Sequence, residues 1–98
     1  MKILDEETEF EWDEGNTGKN KKHIVEDREA EEVFFDENKV IFPDEIHSTE
    51  NEERIRIIGR TKKERLLFIV FTRRENKIRI ISARDVNRKE VPLYEKAT

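Results

Sequence analysis

The feature that most constrains this fold is a succession of three strand-like segments in the second half of the chain. Residues 54–60 alternate between polar and apolar side chains, residues 66–72 are apolar on both faces, and residues 77–84 alternate again with one mismatch at Ile81. A period of two residues is typical of a β-strand, and the short links between the segments suit β-hairpins. The pattern predicts an antiparallel sheet with residues 66–72 in its middle.

Weaker patterns complete the predicted domain. They are a first strand around Phe10 and Trp12, which we expect in the core, a short helix over residues 20–25, a helix over residues 28–35 capped by Asp27, a strand over residues 39–43, a loop over residues 44–53, and a final helix over residues 90–94 capped by Asn87. Helices on one face of an antiparallel sheet make an α+β fold. We expect residues 1–98 to form a single domain whose second sheet face is free for a ligand.

Charge is distributed unevenly along the chain. Residues 1–53 hold six Lys and Arg against nineteen Asp and Glu, a net charge of −13, whereas residues 54–98 hold fourteen against five, a net charge of +9. The overall charge of −4 therefore conceals a basic half that suits a polyanion such as RNA. A network of surface ion pairs would also give this distribution.

Composition excludes several kinds of site. The chain has no cysteine, which excludes disulfides and Cys-based zinc or redox motifs. It has no signal-peptide pattern and no apolar run near the ~20 residues of a membrane span, so we expect a cytoplasmic protein without membrane contact. Its two histidines lack regular ligand spacing, and we expect neither a metal nor a cofactor.

Several short motifs occur together in an order that resembles one family. They are Glu11-Trp12-Asp13, Lys22-His23, Glu29 to Phe34, Asp44-Glu45 followed by His47, Glu53-Arg54, Arg79 to Arg84, and the ending Glu90…Tyr94-Glu95. From about residue 10 to residue 96, the chain is similar to the BrnT toxins. Each motif alone is a weak signal, but their common order is specific.

The resemblance implies a RelE-like fold, with two N-terminal helices packed on one face of an antiparallel sheet and a C-terminal helix. It also implies the toxin of a type II toxin–antitoxin system, an endoribonuclease that cuts mRNA and halts translation. The partner would be a ribbon-helix-helix antitoxin, BrnA-like, and DNA would be contacted only through the toxin–antitoxin complex.

Metal-independent RNA cleavage needs activation of the 2′-hydroxyl, charge stabilisation at phosphorus and a proton for the leaving oxygen. Arginine suits the phosphate and histidine suits the proton transfers. On the implied function, we expect Arg79, Arg84, Arg54 and His47 to be catalytic. Strict alternation would place Arg79 and Arg84 on opposite faces of their strand, so either a bulge or the strand's end intervenes near Ser82, or only one of the two faces RNA. We expect Arg79 on the sheet and Arg84 at the exit of the strand.

Five further residues are expected to bind RNA: Arg56, Arg60, Lys22, His23 and Tyr94. Arg56 and Arg60 share one strand face with Arg54, which suits either an external anion or ion pairs with Glu52 or Glu53. Tyr94 either stacks on a base or packs down on the sheet. His23 is alternatively a helix C-terminal residue favoured by the helix dipole.

In a second interpretation, the same basic sheet face binds a partner but catalyses no reaction. In this reading the protein is a non-catalytic protein- or RNA-binding module, for example an inactive family member. Binding through several phosphates would weaken steeply with salt, whereas a mainly apolar protein interface would change little.

Overall fold

The computed structural model describes residues 8–96 and has a five-stranded sheet at its centre, in the order β1-β5-β4-β3-β2. The strands are β1 (Glu9–Phe10), β2 (Val40–Pro43), β3 (Arg54–Arg60), β4 (Leu66–Arg74) and β5 (Lys77–Asp85). The fold is α+β, and β2 to β5 form the antiparallel meander that the sequence predicts. The expectation of a wholly antiparallel sheet is wrong, because β1 pairs with β5 in parallel. A pairing between segments so distant in sequence leaves no local signal.

Three short helices accompany the sheet: a 3₁₀ helix (Lys19–His23), α1 (Asp27–Val33) and α2 (Val91–Glu95). The first was expected over residues 20–25, but Ile24 adopts a left-handed conformation with φ of 58° and ends it. The cap of α1 is Glu26 rather than Asp27, because Glu26 and Glu29 form a capping box. α1 packs on β3 and β4, whereas the 3₁₀ helix lies against β5, so the predicted pair of N-terminal helices on one face is not confirmed.

The turn before α2 also differs from its prediction. Asn87 Oδ1 accepts the backbone N–H groups of Lys89 and Glu90 at 3.0 Å, so it stabilises this turn and is not the helix cap. Pro92 lies in the first turn of α2, where a missing N–H costs no intrahelical hydrogen bond, as expected.

The main core fills one side of the sheet, under α1. Its buried residues are Val25, Ala30, Val33, Phe34, Ile55, Ile57, Leu67, Ile69, Phe71, Ile78, Ile80 and Ala83. Phe34 makes edge-to-face contacts with Phe10 and Phe71, at centroid distances of 5.2 and 5.0 Å. Phe10 and Trp12 are partly buried and pack against this core, as predicted. Gly59 lets α1 approach β3 closely, because a Cβ there would lie 2.8 Å from Val33 Cγ1.

A β-bulge in β5 resolves the conflict over its two arginines. Phe71 of β4 pairs with Ile80, and the preceding Val70 pairs with Ser82, so Ile81 is an extra residue without a partner. The side-chain alternation therefore shifts by one residue at this point. As a result, Arg79 and Arg84 lie on the same face of the sheet, the one opposite the main core.

Two asparagines form hydrogen bonds with backbone groups of β5 near this bulge, on the edge of β5 beyond the end of β1. Asn16 Nδ2 donates to the carbonyl oxygen of Ile80 at 3.1 Å, and Asn20 Oδ1 accepts the backbone N–H of Ala83 at 2.9 Å. Both asparagines are buried. They take the place of a neighbouring strand beyond the end of β1, and so they fix the bulge that orients the two arginines.

The sheet face opposite the main core is partly covered, which corrects the expectation that it is free. Tyr94 of α2 is buried, and its hydroxyl donates to Asp36 Oδ2 at 2.7 Å. Ile58 of β3 is also buried without belonging to the main core. None of the helices in the described part of the chain is long and apolar enough to cross a membrane.

Candidate nucleic-acid interface

The sheet face opposite the main core carries six arginines, and we call it the arginine face. Its rows across the strands are Arg74 and Lys77; Arg54, Thr72 and Arg79; Phe42, Arg56, Val70 and Ser82; Val40, Ile58, Phe68 and Arg84; and Arg60 with Leu66. Successive rows are about 7 Å apart, since they are two residues apart along a strand. The three arginines of β3 share this face, as their spacing predicts.

One end of this face is an ion-paired end, formed by Arg54, Arg74 and Arg79 with Glu11, Asp13 and Glu52. Arg79 donates to both carboxylate oxygens of Asp13 at 2.8 and 2.9 Å, and to Glu11 at 3.3 Å. The hydrogen bonding that Arg79 donates to Asp13 lowers the pKa of Asp13 and raises the pKa of Arg79. The side chain of Arg79 is only 17% exposed. Its guanidinium is thus engaged by the acidic N-terminal segment.

The other two arginines of the ion-paired end are also engaged. Arg54 Nε donates to Glu52 at 3.0 Å, one of the two partners considered for it. Arg74 lies within 3.7 Å of Glu11 and 3.6 Å of Glu52, and so links these two carboxylates. A cleft of about 180 Å³ lies between Arg54 and Arg79. The guanidinium groups beside this cleft therefore already form ion pairs with carboxylates of the same chain.

A second group of charged residues lies further along the face, and we call it the central cluster: Asp44, His47, Arg56, Arg84 and Glu90. Arg84 makes a bidentate ion pair with Glu90, at 2.8 and 2.7 Å, and stacks on Phe68 at 4.4 Å from the ring centroid. Arg56 stacks on Phe42 at 4.5 Å, and its Nη2 donates to the carbonyl oxygen of Pro43 at 2.9 Å. Its Nε is buried without a hydrogen-bond partner.

His47 joins the cluster through a buried carboxylate. His47 Nδ1 lies 3.0 and 2.9 Å from the two carboxylate oxygens of Asp44. The side chain of His47 is 63% exposed, whereas that of Asp44 is 8% exposed. Ser48 fixes this loop against β3, because its Oγ donates to the Asp44 carbonyl at 2.7 Å and accepts the backbone N–H of Arg54 at 2.9 Å.

Arg56 acts electrostatically on both carboxylates of the central cluster. Burial raises the pKa of Asp44, but the hydrogen bond from His47 and the charges of His47 and Arg56 outweigh it, so the pKa is lowered. The hydrogen bond from Arg84 lowers the pKa of Glu90, with smaller contributions from the Asn87 backbone and from Arg56. Both carboxylates are therefore ionised at neutral pH, and the charge of Arg56 favours the ionised form of each.

Comparison with known proteins places this geometry in a family. The model of the family described as "ribonuclease toxin, BrnT, of type II toxin-antitoxin system" matches residues 12–90. The chain belongs to the BrnT family. This confirms the resemblance seen in the sequence, and a type II toxin of this kind has an antitoxin partner. No curated protein matches the chain significantly.

All five members of the central cluster lie within the stretch that matches the BrnT model, whereas Glu11 of the ion-paired end lies just outside it. Within residues 8–96, no three or more His, Asp or Glu side chains converge in a way that could hold a metal ion. The arginine face of this BrnT protein carries guanidinium, imidazole and carboxylate groups.

Four of the five residues expected to bind RNA lie away from the central cluster. Lys22 and His23 are on the 3₁₀ helix beside β5, where the His23 carbonyl accepts a hydrogen bond from Arg65 at 3.2 Å. Tyr94 is buried, so its ring packs on the sheet and is not exposed for base stacking. Arg60 lies with its guanidinium 5.4 Å from the centroid of the Tyr94 ring, at the far end of the face.

Sequence reasoning missed two partners in the central cluster. Asp44 was noted only as a neighbour of His47, although the separation of three residues, typical of a local hydrogen bond, was a usable signal. Glu90 was noted only as part of a motif, and nothing local indicates its pair with Arg84. The two phenylalanines under the guanidinium groups, Phe42 and Phe68, occur in apolar strand runs that gave no sign of this role.

Proposed function

We propose that this BrnT toxin is a metal-independent endoribonuclease that cleaves mRNA on its arginine face and so inhibits translation in the cytoplasm. The observation that carries the proposal is the central cluster. It combines an exposed histidine on a buried carboxylate with Arg56, a guanidinium that takes part in none of the ion pairs found among residues 8–96 and whose Nε is buried without a hydrogen-bond partner there. These are the group types that proton transfer and phosphate binding require.

In the proposed reaction, His47 takes the proton of an RNA 2′-hydroxyl and the 2′-oxygen attacks the adjacent phosphorus. The bond from phosphorus to the 5′-oxygen breaks, and that oxygen takes a proton from water while the imidazolium returns its own proton to the solvent. The products are a 2′,3′-cyclic phosphate and a 5′-hydroxyl. Arg56 binds the phosphate, whose developing charge a fixed cation can stabilise by several kcal/mol. Arg84, stacked on Phe68, borders the same site.

The partners proposed for this toxin follow from its family and its charges. A ribbon-helix-helix antitoxin, BrnA-like, would cover the toxin, and DNA would be bound only by that complex. The antiparallel meander of β2 to β5, with α1 against it, supports a RelE-like fold. The basic strands suit RNA as the substrate, because phosphate contacts supply most sequence-independent affinity.

The test is cleavage of a purified RNA transcript by the purified protein in the presence of EDTA. Cleavage with 2′,3′-cyclic phosphate ends is expected, and His47→Gln should lower its rate by about 10²-fold or more. His23→Gln is the matched control, because it removes the other histidine without touching the central cluster. Intact RNA at high protein concentration, together with normal growth of cells that express the toxin alone, would exclude the ribonuclease.

One observation favours the second candidate, a non-catalytic RNA- or protein-binding module. Arg54, Arg79 and Arg84 are each paired with a carboxylate of the same chain. If these pairs are permanent, the face binds but does not cut. RNA binding that weakens steeply with salt, without any cleavage product, would support this module.

A further inference from the structure

We propose that Asp44 is a positioning residue for His47: it holds the proton on Nδ1 and presents Nε2, beside Arg56, as the nitrogen that takes the 2′-hydroxyl proton. This inference rests on the proposed ribonuclease function and deepens it. It assigns a role to a carboxylate that makes no direct contact with the reacting atoms, and it names the reacting nitrogen.

The geometry fixes which nitrogen of His47 carries the proton. His47 Nδ1 lies 2.9 Å from Asp44 Oδ2 and 3.0 Å from Oδ1, both within hydrogen-bond distance. An ionised carboxylate can only accept hydrogen bonds, so the hydrogen between the two groups must belong to Nδ1. In the neutral ring Nε2 then has the free lone pair, and the side chain that carries it is 63% exposed.

Hydrogen bonds of the Asp44 backbone hold the residue, and with it the carboxylate, in place. The N–H of Asp44 donates to the Arg54 carbonyl at 2.9 Å, and the Asp44 carbonyl accepts the Ser48 hydroxyl at 2.7 Å. The first contact ties the start of the loop to β3, and the second joins Asp44 to Ser48, whose Oγ accepts the backbone N–H of Arg54 at 2.9 Å. Asp44 is therefore a buried residue with a fixed backbone, and its carboxylate holds the exposed His47 ring. Such an arrangement orients a general base.

Arg56 places the phosphate next to this nitrogen. Its Nη2 binds the carbonyl of Pro43, the residue before Asp44, so the guanidinium lies at the base of the loop that carries His47. Stacking on Phe42 keeps the guanidinium plane fixed at 4.5 Å from the ring centroid. A phosphate on Arg56 would thus bring its neighbouring 2′-hydroxyl to the side of His47.

The experiment uses Asp44→Asn in the full-length protein, with the exposed neighbour Glu45→Gln as the matched control. Two properties are measured: the steady-state rate constants for RNA cleavage, and the ring tautomer of His47 by long-range ¹H–¹⁵N NMR at about pH 8, where histidine is ordinarily neutral. The chain has two histidines, so His23→Gln assigns the signals.

The expected result is a His47 ring protonated on Nδ1 in the wild type and in Glu45→Gln, and a mixture of tautomers in Asp44→Asn. The same variant should lower kcat by about 10- to 100-fold with KM changed by less than about threefold, because the ring is then often in the wrong tautomer. Asp44→Glu, which keeps the charge, should retain the Nδ1 proton and recover part of kcat.

A His47 that stays wholly protonated on Nδ1 in Asp44→Asn would overturn the inference, as would an unchanged kcat. If Asp44→Asn folds poorly in thermal unfolding, Asp44→Glu decides by the same tautomer measurement, and loss of the Nδ1 proton there contradicts the proposal. If the wild type does not cleave RNA, the proposed function fails, and the NMR result still decides whether Asp44 fixes the ring.

Discussion

Two regions of the arginine face, the ion-paired end and the central cluster, contain the same residue type in opposite situations. At the ion-paired end, Arg79 has its guanidinium engaged by Asp13 and Glu11 of the acidic N-terminal segment. In the central cluster, Arg56 takes part in none of the ion pairs of the described residues, and its Nε is buried without a hydrogen-bond partner there. A strand arginine on a basic face is therefore not by itself a phosphate site, because an ion pair within the chain can already engage its guanidinium, as in Arg79.

The uneven charge of the chain has a structural role at the ion-paired end. The acidic half neutralises Arg79 and its neighbours, and so stabilises the joint between the N-terminal segment and the sheet. Arg84 is intermediate, because it is paired with Glu90 but stands in the central cluster. Each of the following changes either breaks this contrast or sharpens it.

The largest effect on stability should follow from Arg84→Ala. It leaves the Glu90 carboxylate, which is 14% exposed, without its bidentate partner. Because Arg84 itself is 37% exposed and partly screened, we expect a loss of about 1–2 kcal/mol in unfolding free energy. That loss corresponds to a fall in Tm of roughly 4–16 °C for a domain of this size.

The control for this variant is Arg73→Ala, an exposed arginine of the neighbouring strand, which should change Tm little. An equal Tm for both variants would show that the pair with Glu90 does not hold the turn before α2 in place. Thermal unfolding followed by circular dichroism measures both.

Acid should remove the contribution of the same pair. The pKa of Glu90 lies below its ordinary value of 4.5, so its contribution to stability is complete above about pH 5 and is lost as the pH falls through the lowered value. We expect Glu90→Gln to be less stable than the wild type at pH 7 by about 1 kcal/mol. The two Tm curves should converge towards pH 3, and a constant difference across this range would contradict the pairing.

The smallest effect should follow from Asp13→Asn at the ion-paired end. The variant weakens the hold on Arg79, and we expect RNA affinity to rise about two- to fivefold with a slightly steeper salt dependence, since one more cation becomes available to phosphate. Glu14→Gln, at the exposed neighbouring position, is the matched control. Unchanged affinity in Asp13→Asn would mean that Arg79 stays away from RNA even when it is released.

Periodic features of this fold could be predicted from the sequence, and pairings between distant segments could not. The alternation of residues 54–60 and 77–84 predicted two strands and their order, and the parity of Arg79 and Arg84 left a bulge near Ser82 as one of several alternatives. A two-residue strand such as β1 carries too little pattern to reveal its parallel partner. The 3₁₀ helix ends earlier than predicted because Ile24 adopts a left-handed conformation. The sequence could not predict this conformation, because it is rare for a β-branched residue.

The candidate site divides in the same way. Spacing within β3 placed Arg54, Arg56 and Arg60 on one face, but the uneven charge of the chain did not reveal which arginines are neutralised. That depends on Asp13 meeting Arg79 across 66 residues of sequence and on Glu90 returning to Arg84. Such partners are fixed by the tertiary fold and not by local pattern.

The central claim is that the central cluster and not the ion-paired end performs the chemistry. The most direct test compares the RNA cleavage rates of Arg56→Ala and Arg79→Ala with that of the wild type, in EDTA and at equal folded fraction. We expect Arg56→Ala to lower kcat by about 10²–10³-fold and Arg79→Ala by less than about tenfold. A larger loss in Arg79→Ala than in Arg56→Ala would contradict this account.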